Sequence, residues 1–284
     1  ARQVGIPKYA DIRLASLVTH LVQESSTSYG HSYLTYDELA KSVAAFDPDI
    51  ALDVALKSAN ELSQPIGTAC VNGQKRFYPI WALKTEQALA RLLSDRLSKS
   101  IDAIRPLYYG DRAFLDAQID HAQKAQGGDF ALDESHRDAL RGLLLAEQTI
   151  HTITAGPGCG KTALMEIFVQ MVISNSLGAG KHALEAASKS LNVFFCAPTG
   201  KAAKVLNGRI SKSGVIAKTI HSLLEVTEEG FVHHSGNRLA ADVIIIDESS
   251  MIDVSLFYAL IKALPDHIGL LLVGDVDQLP SVGA

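Results

Sequence analysis

Residues 155–162 read Ala-Gly-Pro-Gly-Cys-Gly-Lys-Thr, between a β-branched run, Ile150 to Thr154, and an apolar helical stretch, Ala163 to Val172. In such a loop Gly156, Pro157, Gly158, Cys159 and Gly160 form a turn whose backbone N–H groups face inward and hold phosphate oxygens. Lys161 adds a positive charge toward the terminal phosphates, and the Thr162 hydroxyl is placed to ligate Mg2+. The helix that follows directs the positive end of its dipole at the same anion. Ala155 stands where the pattern usually has its first glycine, a change that removes no donor. The Cys159 thiol is incidental, because backbone groups do the binding. A plain glycine-rich turn from strand to helix would not require Lys-Thr at this spacing.

A second stretch, Ile244-Ile245-Ile246-Asp247-Glu248, is an apolar strand that ends in two acids. Beside a phosphate loop, Asp247 would hold Mg2+ through its water shell and Glu248 would act as general base on the attacking water. A solvated acidic turn is the plain alternative for this stretch taken alone. Gly274-Asp275-Val276-Asp277-Gln278-Leu279-Pro280 follows the next apolar run, and Gln278 has the reach to sense a γ-phosphate; the alternative is a simple Gly/Pro turn. In Cys196-Ala197-Pro198-Thr199-Gly200-Lys201 another strand ends and a helix opens, so Pro198, Thr199 and Lys201 suit a nucleic-acid backbone phosphate. Thr219 and His221 are weaker candidates for the same groove, since a lone histidine is more often structural.

These residues need strands and helices in alternation to bring them together. The pattern from Thr149 onward predicts strands near 150–155, 192–197, 242–247 and 268–273, with helices near 161–176, 200–209 and 253–264. Short apolar strands flanked by helices predict an α/β fold with a parallel sheet covered on both faces, whose ligands sit beyond the carboxyl ends of the strands. The stretch 174–190 reads as a helix end and surface loop.

The first hundred residues read differently. Leu14, Leu17, Val18, Leu21 and Val22 mark one helix. Thr35 with Glu38 forms a capping box for a second helix through Leu39, Val43 and Phe46. Leu52, Leu56, Ala59 and Leu62 mark a third. Ile66–Val71, Asn72-Gly73 and Lys75–Trp81 then form a hairpin with a type I′ turn. Three helices and a hairpin are the winged-helix order; a plain helical packing domain is the alternative. Leu89, Leu92, Leu93, Arg96 and Leu97 define a bridging helix, Asp111 is an N-cap for the next, Gly127-Gly128 breaks it, and Asp133 caps a helix to about Ala146. The expected domains are residues 1–105, mostly helical and winged-helix-like, 106–148, linking helices, and 149–284, the P-loop domain.

At 47% hydrophobic and 20% charged, the 284 residues have the composition of a soluble globular protein. Three scattered cysteines, Cys70, Cys159 and Cys196, argue against a zinc site or a disulfide framework and for a reducing cytoplasm. No apolar run reaches membrane length. A net charge of −5 leaves any nucleic-acid site to a local groove.

Taken in order, GPGCGKT, CAPTGKAA, TIHSLL, VIIIDESSMID and LLVGDVDQLPSVG resemble the motifs of superfamily-one DNA helicases, and DQLPSVG resembles the RecD-like branch. Upstream, Gly30-His31-Ser32-Tyr33-Leu34 and the Asn-Gly hairpin resemble the segment before the motor in stand-alone bacterial RecD-like enzymes. The resemblance implies an ATP-dependent motor of two RecA-like domains moving 5′ to 3′ on single-stranded DNA, acting at duplex junctions in repair or recombination. It implies that Lys161 and Thr162 bind triphosphate and Mg2+, that Asp247 coordinates Mg2+, that Glu248 activates water, and that Gln278 couples hydrolysis to movement. It puts Pro198, Thr199, Lys201, Thr219 and His221 against the DNA strand, and a small duplex-parting hairpin within 223–241, for which a plain surface hairpin is the equal alternative. Where the family has an adenine-reading Gln, this chain has His136, so adenine preference is expected to be relaxed. From Ala1 without Met to Ala284 just past the Gln278 loop, the chain reads as an excised piece, its partner being a second RecA-like domain of the same parent. Alone it is expected to bind nucleotide weakly, hydrolyse it poorly and not translocate. Two other readings stay open: a non-catalytic DNA-binding or partner-docking module, and the helicase part of a conjugative relaxase.

Overall fold

A computed structural model describes residues 7, 9–99, 112–126, 131–145, 148–156, 158–173, 192–210, 215–275 and 277–278. Asp111, Gly127-Gly128, Pro157, the stretch 174–190, Val276 and Leu279-Pro280 lie outside the described residues. The chain divides into two compact units, one of residues up to Arg91 with Asp253–Tyr258, the other of Leu92–Ile252 with Ala259–Pro280.

In the first unit, α1 (Asp11–Tyr29) buries Leu14, Leu17, Val18 and Val22 along one face. Strand β1 (Leu34–Thr35) leads into α2 (Tyr36–Phe46), opened by the expected capping box: Thr35 Oγ1 accepts from the Glu38 N–H at 3.3 Å, and Glu38 Oε2 accepts from the Thr35 N–H at 2.8 Å. Helix α3 (Leu52–Glu61) precedes the hairpin β2 (Ile66–Val71) and β3 (Gln74–Pro79). Asn72 and Gly73 turn with φ of 52° and 77°, the double positive of a type I′ turn. The antiparallel sheet runs β1-β3-β2 and closes the core on Phe77, Leu39, Val43, Leu52 and Ala55. This is the winged-helix order of elements.

Three edges of that reading shift. Phe46 is 66% exposed and Leu62 44% exposed, so both sit at helix ends outside the core. The second hairpin strand stops at Pro79, whose ring carries no N–H to extend the ladder, and Ile80 and Trp81 open α4 (Ile80–Leu97).

The second unit carries α5 (Arg112–Gln126), α6 (Glu134–Leu145), β4 (Ile150–Thr154), α7 (Lys161–Ile173), β5 (Val193–Ala197) and α8 (Gly200–Ile210). Then follow β6 (Ala217–Thr219), α9 (Ile220–Leu224), the small hairpin β7 (Val226–Thr227) and β8 (Gly230–Phe231), and β9 (Val243–Ile246). A 3-10 turn (Ser249–Met251), α10 (Val254–Ala263) and β10 (Gly269–Gly274) complete the order. Five strands form one parallel sheet in the order β4-β10-β9-β5-β6. Val243 and Ile245 join Leu271, Val273 and Phe195 in a core with α5, α6, α7 and α8, while Ile244 and Ile246 on the other face are also fully buried. The sheet is therefore covered on both sides, as the apolar runs require.

Arg96, near the end of α4, is 7% exposed. Its guanidinium donates to the carbonyls of Ile261 (3.2 Å), in the last turn of α10, and of Leu264 (2.7 Å) and Pro265 (3.0 Å), the two residues after it. Those carbonyls have no partner inside the helix, and the charge complements the negative end of its dipole. No helix among the described residues is long and apolar enough to cross a membrane.

Candidate active site

Strand order decides which loops meet. The last strand in sequence, β10, inserts between β4 and β9, and Gly274 pairs with Thr154 while Leu272 pairs with Ile246. Three neighbouring carboxyl ends therefore deliver the phosphate loop, the turn toward Gln278, and the Asp247-Glu248 pair to one edge of the sheet.

The loop itself is shaped by its glycines. Gly158 and Gly160 have φ of 79° and 71°, the left-handed region that a side chain disfavours. A Cβ placed on Gly156 or Gly158 would meet nothing within 4 Å, so open space lies beside both residues. Helix α7 begins at once, with the Leu164 N–H donating to Gly160 at 2.9 Å. Lys161 folds back over the opening, where Nζ donates to the carbonyls of Ala155 and of Gly156 (3.0 Å) and lies 3.8 Å from Asp275 Oδ2. An ammonium held by three oxygens above an open backbone cradle fits an incoming phosphate group.

Asp247 directly follows β9, its N–H donating to the Cys196 carbonyl at 3.0 Å and its Oδ1 accepting from the Glu248 N–H at 2.9 Å. Glu248 is half-buried and sits at φ 55°, a left-handed conformation that costs a non-glycine residue about 1 kcal/mol. That bend turns the chain out of the strand into the Ser249–Met251 turn. Across from it, a Cβ on Gly274 would lie 2.7 Å from Ser249 Oγ and 3.2 Å from the Ser250 nitrogen, so only glycine lets the two strand ends approach. The Asp275 side chain accepts from the Asp277 N–H at 3.0 Å, and its carbonyl accepts from the Gln278 N–H at 3.3 Å.

His136 stands one turn into α6. Asp133 caps that helix as expected, accepting from the His136 N–H (2.9 Å) and the Ser135 hydroxyl (2.7 Å). These bonds hold its carboxyl down at about 2, the Ser135 hydroxyl contributing most. The His136 ring bridges outward: Nδ1 lies 2.7 Å from Asp133 Oδ1 and Nε2 lies 2.9 Å from the Cys159 carbonyl. Each ring nitrogen thus has a partner within the protein. Here His136 ties the start of α6 to the phosphate loop. To read a base with either ring nitrogen it would have to release one of these bonds.

The expected nucleic-acid contacts fall on the next two strands. Ala197 pairs with Thr219, so the ends of β5 and β6 are adjacent. Thr199 Oγ1 caps α8 by accepting from Ala202 N–H (3.2 Å), and Thr219 Oγ1 caps α9 by accepting from Ser222 N–H (3.0 Å). Lys201 and His221 are exposed, Pro198 is half-buried, and the His221 ring lies 6.0 Å from Phe231 of the small hairpin. That hairpin falls within the expected 223–241. Burial pushes the Cys196 thiol up to about 12, which leaves it unreactive beside the site.

Sequence reasoning named Asp275 only as part of a motif and gave Arg96 only a place on a helix. The signal for Asp275 was its position one residue past an apolar strand. For Arg96 the sequence holds no signal.

Residues 138–284 match the family of AAA domains. The chain is similar to the ATP-dependent RecD2 DNA helicase of Deinococcus radiodurans, 31% identical over 284 residues that cover 96% of this chain and 35% of that protein. It is similar to the RecBCD enzyme subunit RecD of Mycolicibacterium smegmatis, 35% identical over 153 residues, 48% of this chain and 26% of that one. DNA helicase B of Mus musculus is 23% identical over 319 residues, 93% of this chain and 29% of that protein. The chain thus spans about a quarter to a third of the length of these relatives. With these strand ends adjacent and residues 138–284 matching its model, the chain belongs to the AAA domain family, and it is similar over nearly all of its length to a RecD2 DNA helicase.

Proposed function

We propose that this chain forms the nucleotide-binding part of an ATP-dependent DNA helicase that moves 5′ to 3′ on single-stranded DNA. What carries the reading is the insertion of β10 between β4 and β9, which sets the Lys161 loop, the Asp247-Glu248 pair and the Gln278 turn side by side. In this reading the loop N–H groups and Lys161 hold the β- and γ-phosphates of ATP. Thr162 and Asp247 supply hard oxygen donors for Mg2+, as that ion prefers. Bound there, Mg2+ would neutralise charge on the phosphate oxygens. Glu248 accepts the proton of the attacking water, and Gln278 senses the γ-phosphate. Pro198, Thr199, Lys201, Thr219 and His221, at the ends of β5 and β6, contact the DNA strand through its phosphates. The first unit, with its winged-helix order, precedes the motor in the parent.

Titration of the chain with ATP and Mg2+ by calorimetry tests the nucleotide half: saturable binding by the wild type, lost in Lys161→Ala, is expected. A wild type that takes up no ATP overturns the reading. Fluorescence polarisation of a labelled oligonucleotide tests the other half, with Lys201→Ala expected to weaken single-strand binding and flatten its salt dependence.

A further inference from the structure

Asp275 is a buried carboxylate, 3% exposed, and its Oδ2 has no hydrogen-bond donor among the described residues. A buried charge left without a partner is costly, and such groups are retained where a counter-charge reaches them. The counter-charge here is Lys161, whose Nζ lies 3.8 Å from that oxygen with its side chain 16% exposed. The other oxygen of the same carboxylate accepts from the Asp277 N–H at 3.0 Å, and the Asp275 carbonyl accepts from the Gln278 N–H at 3.3 Å. One residue thus faces the phosphate loop with one atom and shapes the glutamine turn with two others. The Ala155 N–H, donating to Gly274 at 3.4 Å, joins the loop to the same corner.

We propose that Asp275 is a positioning residue that links phosphate-loop occupancy to the Gln278 turn: its carboxylate holds the Lys161 ammonium while the loop has no anion, and yields it to phosphate. The inference rests on the nucleotide reading of the loop. When the ammonium swings toward phosphate oxygens, Asp275 loses attraction on Oδ2, and the carboxylate that also holds the Asp277 N–H is free to turn. Lys161 has two sets of oxygens, one from its own chain and one from the nucleotide, and Asp275 sets the balance between them. Its negative charge also opposes the arriving triphosphate, so removing that charge favours binding on both counts.

The test has two arms on the whole chain. In the first, amide hydrogen exchange is followed without nucleotide in peptides covering 274–278. Lys161→Met, far away in sequence, is expected to speed exchange at Asp277 and Gln278 by about threefold or more, the scale of a partly screened ion pair. Exchange unchanged by Lys161→Met overturns the link. In the second, ATP binding is measured by calorimetry for the wild type and Asp275→Asn, which keeps an oxygen for the Asp277 N–H and removes only the charge. Binding about threefold tighter or more supports the proposal. Unchanged or weaker binding overturns it, since a carboxylate that merely shapes the turn would give one of those results. If the wild type binds no ATP, the nucleotide reading fails by itself, and the exchange arm still decides whether Lys161 holds the turn through Asp275.

Discussion

Replacing Arg96 with Met should unfasten the end of α10, and the size of the effect follows from its three bonds. The guanidinium donates to Ile261, Leu264 and Pro265 from a site 7% exposed. A hydrogen bond to a charged group contributes about 1.5–3 kcal/mol, so the gross loss is several kcal/mol. Part is returned, because a buried guanidinium is itself costly: burial lowers the Arg96 pKa, against the attraction of Asp266. Methionine keeps the aliphatic packing of the stem but leaves three carbonyls without donors. The net loss expected is about 3 kcal/mol, at the low end for removing one partner of a buried charged group. Arg96→Lys, with one compact ammonium in place of a planar fork, should lose about half as much. Native-state hydrogen exchange of the β10 amides reads the loss directly. A loss under about 1 kcal/mol for Arg96→Met would show that water replaces the guanidinium at no cost and would refute the argument.

Other expectations follow from the same geometry. Glu248→Gln should keep ATP affinity while lowering turnover by about a hundredfold or more in the parent enzyme, the usual worth of a general base, and a variant with normal turnover would remove Glu248 from that role. Gly274→Ala puts a methyl 2.7 Å from Ser249 Oγ, so thermal unfolding of the second unit should show a loss of about 1–3 kcal/mol. The Asp133 carboxyl, held at about 2 in the folded chain, should titrate there by carbon NMR. Because the folded value lies below the unfolded one, its cap contribution is complete above the ordinary carboxylate range and is lost as pH falls through about 2; a midpoint near 4 would contradict this. With both ring nitrogens of His136 engaged by Asp133 and Cys159, ATP and GTP should bind with closer affinities than in a relative with Gln there, and a strong ATP preference in parallel titrations would count against it.

Much of this was legible because the signals are local. Each parallel strand is a short apolar run, and β9 and β10 lie within a residue or so of where the runs place them. Thr35 with Glu38, Asn72-Gly73 and Asp133 mark their elements through bonds spanning three residues or fewer. The residues expected for the phosphate loop, the acid pair and the glutamine turn were named from type and spacing, and the strand order brings their strand ends side by side. What the sequence could not carry is long-range. Nothing in residues 269–274 says that this strand lies between β4 and β9 instead of at an edge. The partner of His136 Nε2 is a backbone carbonyl at Cys159, an atom that sequence does not distinguish. Arg96 looks like one more polar position on a surface helix until the end of α10 is placed over it. Trp81 falls on the wrong side of a boundary because an apolar pair after Pro79 extends a strand as plausibly as it begins a helix.

The order of the strands also bears on how the proposed chemistry and the proposed grip on DNA could communicate. The nucleotide residues come from β4, β10 and β9, and the candidate DNA residues from β5 and β6, so the border between the two sets is the β9–β5 pair. At that border the Asp247 N–H donates to the Cys196 carbonyl at 3.0 Å, two residues before Pro198. Paired strands lie about 4.8 Å apart, so the sheet spaces the two sets by one strand at that border. The side chains and turns that leave the strand ends are Lys161 over its loop, the Asp275–Gln278 turn, and the Thr199 and Thr219 caps that open α8 and α9. In the proposed reading, the Asp247–Cys196 bond is the point at which the nucleotide residues and the DNA residues meet in the sheet.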